Sequence, residues 1–243
     1  SNLNGSTTEC KNEYIKVWDD VSMCATPDTV TGPQGFIYDD GGPLTDYSNG
    51  LNSTNQGECN LIIKPCASTL YLKINSFNLA AGDFLRIFDG ENTNGRPLFN
   101  RILFPDGYTG TSNIPDSVIA RTGTIYIEFE TNNAGTAPGF ELEWRSQPLK
   151  ADFATDTLWC TGLEDRFISA SNVPNLNRAT YNWNFSDGSK ASGRNVKKTF
   201  SSAGKYTAEL RINDRGCFDS VIYEFDVENS HDAEFVTSAG CEF

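Results

Sequence analysis

Apolar and polar residues alternate in short runs along most of this chain. Clear runs are Leu70, Leu72 and Ile74; Ile125, Ile127 and Phe129; and Tyr206, Ala208, Leu210 and Ile212. Successive side chains of a β-strand point to opposite faces, so this alternation predicts strands with one buried side and one side in solvent. Helical periodicity is almost absent, and we predict an all-β protein.

Turn sequences separate these runs at short intervals. They include Asp40-Gly41-Gly42-Pro43, Asp89-Gly90, Asp106-Gly107 and Asp187-Gly188-Ser189. Glycine, proline and aspartate favour tight turns through their backbone conformations and short polar side chains. Many strands with tight connections indicate antiparallel pairing, and the predicted fold class is two antiparallel β-sandwiches in series.

Two breaks in the pattern divide the chain. One falls near residues 147–150, where a strand ending in Trp144 gives way to a proline, and the other near residues 229–232. The two central domains are therefore predicted to cover residues 21–147 and 148–230.

Loose internal repeats suggest what the two ends are. Residues 151–153 with Cys160 recur as residues 233–235 with Cys241, and residues 216–219 resemble residues 9–12. Residues 1–20 are therefore predicted to be the closing strand of a preceding unit, and residues 231–243 a linker and the start of a following one. Cys10 and Cys241 would then pair outside this chain, and local pairing is the alternative.

Charge narrows the range of partners. Acidic residues outnumber basic ones by 32 to 19 in the 243 residues, which gives a formal net charge of −13. Such a chain repels phosphate backbones and anionic membrane surfaces, so nucleic acid is excluded as the expected partner. No run of about 18 apolar residues is present, and membrane insertion is not expected either.

Seven cysteines occur without the paired spacings of a zinc site. This number in a β protein favours disulfide bonds formed in an oxidising compartment. The sequence therefore predicts an extracellular or cell-surface protein.

Specific motifs run through the first domain. They are residues 35–43 (GFIYDDGGP), residues 46–49 (DYSN), residues 59–65 (CNLIIKP), residues 83–90 (DFLRIFDG) and residues 139–144 (GFELEW). In these motifs residues 21–147 resemble a CUB domain, in the variety common in large secreted or surface proteins of Bacteroidetes-type bacteria. The resemblance implies a jelly-roll-like β-sandwich.

The second domain carries its own ordered motifs. They are residues 181–189 (YNWNFSDGS), Phe200 and residues 204–210 (GKYTAEL). In this order residues 148–230 resemble a PKD domain, which implies an immunoglobulin-like sandwich.

The two resemblances also imply disulfide bonds. Bacterial PKD domains often join their first and last strands, where Cys160 and Cys217 lie. The CUB pattern pairs an early cysteine with Cys59, which favours Cys24 with Cys59. Cys24 with Cys66, and Cys59 with Cys66, remain open as alternatives.

Many CUB domains bind calcium with a glutamate before the central strand and two aspartates, because calcium takes six or more oxygen ligands. Asp83 fits the first aspartate, whereas an alanine replaces the glutamate and Asn132 replaces the second aspartate. The resemblance implies a weak Ca²⁺ site formed by Asp39, Asp83 and Asn132. The alternative is that Asp83 caps a turn and Asp39 accepts hydrogen bonds from glycine amides.

Aromatic residues offer a second candidate site. Trp144, Trp159, Trp183, Tyr47 and Tyr108 provide the flat faces of a sugar-binding platform. Such residues more often fill the core of a sandwich, and Trp183 in particular is assigned to structure.

Catalytic patterns are missing from the sequence. His231 is the single histidine, and neither an HExxH helix nor a GxSxG elbow occurs. We therefore expect a non-catalytic module of a large cell-surface adhesin or filament, which spaces and binds an extracellular glycan or protein and joins neighbouring domains. The alternative is an accessory region of a secreted peptidase or polysaccharide-degrading enzyme.

Overall fold

A computed structural model describes residues 19–24, 28–49, 59–132, 134–156 and 158–230. These residues form β-strands joined by turns and loops, with one short 3-10 turn at Gly42–Leu44. This arrangement confirms the predicted all-β fold class. Within these ranges, no helix is long and apolar enough to cross a membrane.

The first sandwich consists of two five-stranded sheets. Its strands within the described part of the chain are β1 (Asp19–Ser22), β2 (Thr29–Val30), β3 (Gln34–Tyr38), β4 (Asn60–Ile63), β5 (Ala67–Asn78), β6 (Phe84–Asp89), β7 (Arg96–Pro97), β8 (Ser117–Ala120), β9 (Ile125–Glu130) and β10 (Gly139–Pro148). One sheet has the order β1-β3-β10-β5-β8, and the other has the order β2-β4-β9-β6-β7. β1 with β3 and β2 with β4 are parallel pairs, and the remaining pairs are antiparallel.

Alternation explains the core of the first sandwich. Along β9 the residues Ile125, Ile127 and Phe129 are buried, and the residues between them are half-exposed. Leu142 and Trp144 of β10 face the same core from the opposite sheet. Each such side chain contributes about 1.5–3 kcal/mol when it is removed from water, so the pattern fixes which face turns inward.

The second sandwich packs a three-stranded sheet against a five-stranded one. Its strands, among the described residues, are β11 (Phe153–Thr155), β12 (Trp159–Cys160), β13 (Glu164–Ser169), β14 (Thr180–Phe185), β15 (Lys190–Ser192), β16 (Asn195–Thr199), β17 (Gly204–Asp214) and β18 (Cys217–Glu228). The sheet orders are β11-β13-β16 and β12-β18-β17-β14-β15. Phe167, Trp183 and Phe200 are fully buried between the sheets.

Cys24 and Cys59 form a disulfide bond within the first sandwich, with their Cα atoms 4.2 Å apart. This bond confirms the pairing that the CUB pattern favoured. A second bond joins Cys66 of the first sandwich to Cys217 of the second, with a Cα–Cα distance of 5.3 Å. The two sandwiches are therefore covalently linked to each other.

The predicted bond between Cys160 and Cys217 is wrong. In the parallel pair of β12 with β18, Cys160 lies opposite Glu228, at the far end of β18 from Cys217. Those two positions of β18 are about 36 Å apart at the usual rise of a strand, whereas a disulfide needs Cα atoms within about 7 Å. Cys160 is disulfide-bonded as well, but its partner is not Cys217.

The predicted terminal units lie largely outside the described residues. Residues 1–18 and 231–243, with Cys10, Cys241 and His231, belong to the part of the chain that is not described. β1, which begins at Asp19, pairs with β3 of the first sandwich. The domain boundaries stay a prediction.

Candidate functional site

Asp39 is buried where β10 begins. Its Oδ2 accepts a hydrogen bond from the Phe140 amide at 2.9 Å, and its Oδ1 accepts one from the Gly41 amide at 2.9 Å. A Cβ on Gly139 would collide with this carboxylate, and Gly139 has φ +81°, so glycine is required beside it. Burial raises the pKa of Asp39, and the two amide hydrogen bonds offset that effect only in part.

Asp83 is buried at the same end of the sandwich. Its Oδ2 accepts a hydrogen bond from the Tyr47 hydroxyl at 2.5 Å, and its Oδ1 accepts one from the Asn132 amide at 2.7 Å. The Tyr47 oxygen in turn accepts a hydrogen bond from the Ala80 amide at 2.7 Å. Burial, followed by the hydrogen bond to Asp83, raises the pKa of Tyr47. The carboxylate therefore joins three loops.

Asn132 completes this connection through its side chain. Its Nδ2 donates to the Ala81 carbonyl at 2.9 Å, and its Oδ1 accepts from the Ala134 amide at 2.6 Å. Asp39, Asp83 and Asn132 thus lie at one end of the first sandwich, as the sequence predicted. The loops are held together there by hydrogen bonds between protein groups.

Each of these residues is satisfied by hydrogen bonds from within the protein. The four carboxylate oxygens of Asp39 and Asp83 already accept N–H or O–H hydrogen bonds, and the Asn132 oxygen accepts one too. Calcium needs six to eight oxygens at about 2.3–2.6 Å. Within the described ranges, no group of three or more His, Cys, Asp or Glu side chains is placed to hold a metal. The arrangement matches the alternative in which the aspartates organise turns.

The five candidate platform residues are mostly core residues. Trp144, Trp183, Tyr47 and Tyr108 are fully buried, and Trp159 is half-buried and packs against Phe225 with the rings tilted and their centroids 4.7 Å apart. The Trp183 indole donates to the Gly193 carbonyl at 2.9 Å, which satisfies its polar atom inside the sandwich. A sugar platform of these residues is wrong because their faces are not available to a ligand.

The joint between the sandwiches lies at the other end of β10. Beside the Cys66–Cys217 bond, the Leu149 amide donates to the Cys66 carbonyl at 3.4 Å. Asn172 Nδ2 of the second sandwich donates to Ser68 Oγ of the first at 2.7 Å. The joint therefore combines a covalent bond with hydrogen bonds between residues of the two sandwiches.

Charged groups also cross the joint. Arg215, in the turn before β18, pairs with Glu91 at 3.1 Å and donates to the Thr122 carbonyl. Lys64 pairs with the same Glu91 oxygen at 2.9 Å. The hydrogen bond from Lys64, and then the charges of Lys64 and Arg215, hold the pKa of Glu91 below its ordinary value.

The loop whose Thr122 carbonyl accepts a hydrogen bond from Arg215 is held in place by contacts within the first sandwich. Asp89 is buried and accepts hydrogen bonds from the Arg121 amide at 3.1 Å and the Thr122 amide at 2.9 Å. Burial pushes its pKa up, but these bonds outweigh it and the pKa of Asp89 is lowered. Gly123 has φ +76° and its missing Cβ allows contact with the Ala67 carbonyl, so a glycine is required there.

A groove of about 370 Å³ lies on the outer face of the β1-β3-β10-β5-β8 sheet. It is lined by Tyr71 and Lys73 of β5, Asp116 and Ser117 at β8, and Glu143 and Arg145 of β10. The register places Tyr71 beside Arg145, and Lys73 beside both Glu143 and Ser117.

Neither the groove nor the joint was recognised from the sequence. Tyr71 and Lys73 were recognisable as the solvent-facing positions of an alternating strand, but which strands adjoin β5 depends on long-range pairing. Cys66 was recognisable only as the cysteine left over in the first domain. The odd number of cysteines in residues 21–147 was the signal that could have suggested a bond to another domain.

Comparison with known proteins agrees with the two resemblances. Residues 146–234 match the family model of the PKD domain. A stretch of 130 residues is 28% identical to cubilin of the dog, covering 47% of this chain and 3% of that protein. A stretch of 119 residues is 25% identical to an astacin-like metalloendopeptidase of the Japanese quail, covering 47% of this chain and 27% of that protein.

Solved structures include the CUB1-EGF-CUB2 domain of human MASP-1/3, at 17% identity and a TM-score of 0.39. That match covers 51% of this chain and 43% of that one. This chain spans less than a third of either curated relative's length.

Proposed function

Because the chain joins a CUB-like domain to a PKD domain, we propose that it is a non-catalytic extracellular module of a large cell-surface adhesin or filament. In this role it spaces neighbouring domains and presents a binding surface to an extracellular glycan or protein. The observation that carries the proposal is the Cys66–Cys217 bond, which ties the two sandwiches to each other.

Domains in series usually move relative to one another unless their interface is large and apolar. Here a disulfide, a hydrogen bond between Asn172 and Ser68 and an ion pair between Arg215 and Glu91 restrain the same joint. The restraint makes the pair of domains a stiff spacer. A stiff spacer holds a binding face at a fixed distance and orientation, which suits attachment better than catalysis.

The same bond supports an extracellular position. Disulfides persist in oxidising compartments and are reduced in the cytosol. The Cys24–Cys59 and Cys66–Cys217 bonds therefore support secretion or surface display.

Pulling the chain from both ends in a force spectrometer tests the spacer. The Cys66–Cys217 bond shields a sequence separation of 151 residues from the applied force. In a Cys160→Ser background, which removes the separate disulfide bond of Cys160, the oxidised chain should reach a final length about 540 Å shorter than its Cys66→Ser/Cys217→Ser variant, at about 3.6 Å per extended residue. Equal final lengths would show that the joint carries no covalent restraint, and would refute the stiff-spacer role.

A second candidate function is an accessory region of a secreted peptidase. The similarity to an astacin-like metalloendopeptidase over 119 residues favours it. Mass spectrometry of the intact polypeptide that carries this segment separates the two roles. An adhesin or filament predicts a cell-bound polypeptide of tandem binding domains. An accessory region predicts a peptidase domain in the same polypeptide.

A further inference from the structure

We propose that the groove on the outer face of the β1-β3-β10-β5-β8 sheet binds a neutral saccharide. This inference deepens the proposed function, on which it rests, by naming the class of ligand that the module attaches to. It depends on the shape of the groove, on one exposed aromatic ring and on the mixture of charges around it.

Tyr71 supplies the aromatic surface. It is 46% exposed, although its neighbours Leu70 and Leu72 on β5 are fully buried. A large apolar side chain on the solvent face of a strand, beside a groove, provides a flat contact for the C–H face of a sugar ring. The buried tryptophans cannot provide this contact, which leaves Tyr71 as the stacking residue of the groove.

The rim of the groove offers both hydrogen-bond donors and acceptors. Lys73 and Arg145 donate, the carboxylates of Asp116 and Glu143 accept, and Ser117 does both. Each sugar hydroxyl is both a donor and an acceptor, so a mixed rim satisfies it better than a rim of one kind. Among the described residues, the side chains of Lys73 and Asp116 are not engaged in a hydrogen bond or ion pair, and they remain available to a ligand.

The Arg145 side chain on the rim is held in position before a ligand binds. Glu143 is 9% exposed, and its Oε1 accepts from Arg145 Nε at 2.7 Å and Nη2 at 2.6 Å. This pair holds the Arg145 guanidinium against β10, so less side-chain freedom is lost when a ligand binds.

Charge decides between neutral and acidic saccharides. The groove brings together two cationic and two anionic side chains, so its local charge is balanced. The whole chain carries −13, which repels a polyanion at long range. The volume of about 370 Å³ falls at the small end of ligand pockets, which suits a short segment of a neutral chain.

Titration of the oxidised chain by NMR and calorimetry tests the proposal. The probes are cellohexaose, mannohexaose, laminarihexaose and chitohexaose, with an oligogalacturonate as the acidic comparison and a mixed-charge peptide as the protein-like comparison. We expect a neutral saccharide to shift the amides of β5, β8 and β10. Tyr71→Ala should weaken its binding about tenfold or more, whereas Tyr71→Trp should retain it. Phe218→Ala is the matched control, because Phe218 is an exposed aromatic of the second sandwich, and it should not change binding.

Three outcomes would overturn the inference: binding to none of the neutral probes, binding that Tyr71→Ala leaves unchanged, or preference for the oligogalacturonate or the peptide. In each case the pulling experiment on the Cys66–Cys217 bond still decides the spacer role separately. If the joint is flexible but the chain still binds a neutral saccharide, the spacer role is refuted and the binding role of the groove is retained.

Discussion

The two ends of the first sandwich hold their neighbouring loops in different ways. Where β10 begins, hydrogen bonds to Asp39 and Asp83, together with the Cys24–Cys59 disulfide, connect loops within one domain. Where β10 ends, Cys66 connects that domain to the next through a disulfide, with charged groups around it. The end of the first sandwich where β10 begins is therefore held within its own domain, and the end where β10 ends is bonded to the next domain.

The buried carboxylates of Asp39 and Asp83 hold the loops together where β10 begins. Each is fully removed from solvent and has a donor on each oxygen, so the loops need no further ligand to close. At the second end the partners come from two domains, and their function is to fix one domain against the other. Recognition is therefore expected on neither end but on the open sheet face between them.

The largest effect is predicted for removing the bond across the joint. Cys66→Ser/Cys217→Ser should cost up to about 5 kcal/mol in the loop-entropy model for a separation of 151 residues. Chemical denaturation measures this loss, and small-angle scattering should show a broader distribution of interdomain distances.

The matched control is Cys24→Ser/Cys59→Ser, which removes a bond with a sequence separation of 35 inside one sandwich. It should lower the unfolding free energy less, by about 4 kcal/mol in the same model, and leave the scattering profile unchanged. If both double variants broaden the scattering profile equally, the Cys66–Cys217 bond does not set the interdomain geometry.

The second prediction concerns the end of the first sandwich where β10 begins. Asp83→Ala leaves the Tyr47 hydroxyl and the Asn132 amide without their acceptor, and should cost about 3 kcal/mol in chemical denaturation. Asp40→Ala is the control: Asp40 accepts a single exposed amide bond, from Ser48 at 3.1 Å, and its loss should cost under about 1 kcal/mol.

Calcium should not stabilise the end of the first sandwich that holds Asp39 and Asp83. Because the oxygens of Asp39 and Asp83 are already engaged, millimolar calcium should leave the melting temperature of the chain where chelator leaves it. A rise of several degrees with calcium that Asp83→Ala abolishes would show that the loops rearrange around an ion.

The third prediction is smaller and concerns the charges at the joint. Arg215→Ala should cost about 1 kcal/mol or less, because Glu91 is largely exposed, but it should shift the NMR signals of the Arg121 to Thr124 loop. Since the folded-state pKa of Glu91 is lowered, its contribution is present above pH 4.5 and is lost as the pH falls through the folded-state value. Those signals should therefore move in acid in the wild type, and much less in the variant.

The fourth prediction concerns the pH dependence of the second sandwich. Burial, and then the charge of Asp156, raise the pKa of Asp165 to about 6, and its buried Oδ2 has no hydrogen-bond partner among the described residues. A raised pKa means that the folded state binds the proton more tightly, so stability falls as the pH rises from about 4 through 6.

Asp165→Asn should flatten this slope in thermal melts, whereas Glu164→Gln, on the exposed face of the same strand, should keep it. Parallel slopes for Asp165→Asn and the wild type would contradict the assignment.

Most of the fold that could be predicted came from the alternation of apolar and polar residues along the strands. The buried positions of β9 and β10, Ile127 and Trp144 among them, follow from alternation, because the burial of apolar area is local to each strand. Asp39, Asp83 and Asn132 were placed at one loop end by motif, but whether they bind an ion depends on donors such as Tyr47, far away in sequence.

Disulfide pairing was the weakest inference. Cys160 lies in β12 and Cys217 in the last strand, yet β12 pairs with the end of β18 that is distant from Cys217, a register that no local pattern encodes. Cys66 has φ +53°, an unusual conformation that is also invisible in the sequence. Pairing between domains requires knowledge of how they dock.

Backbone amide NMR relaxation of the oxidised chain tests the central claim, that the two sandwiches form one stiff unit. We predict a single rotational correlation time for β5 and β10 in the first sandwich and for β14 and β17 in the second. Two distinct correlation times in the oxidised chain, with the smaller sandwich tumbling faster, would contradict it.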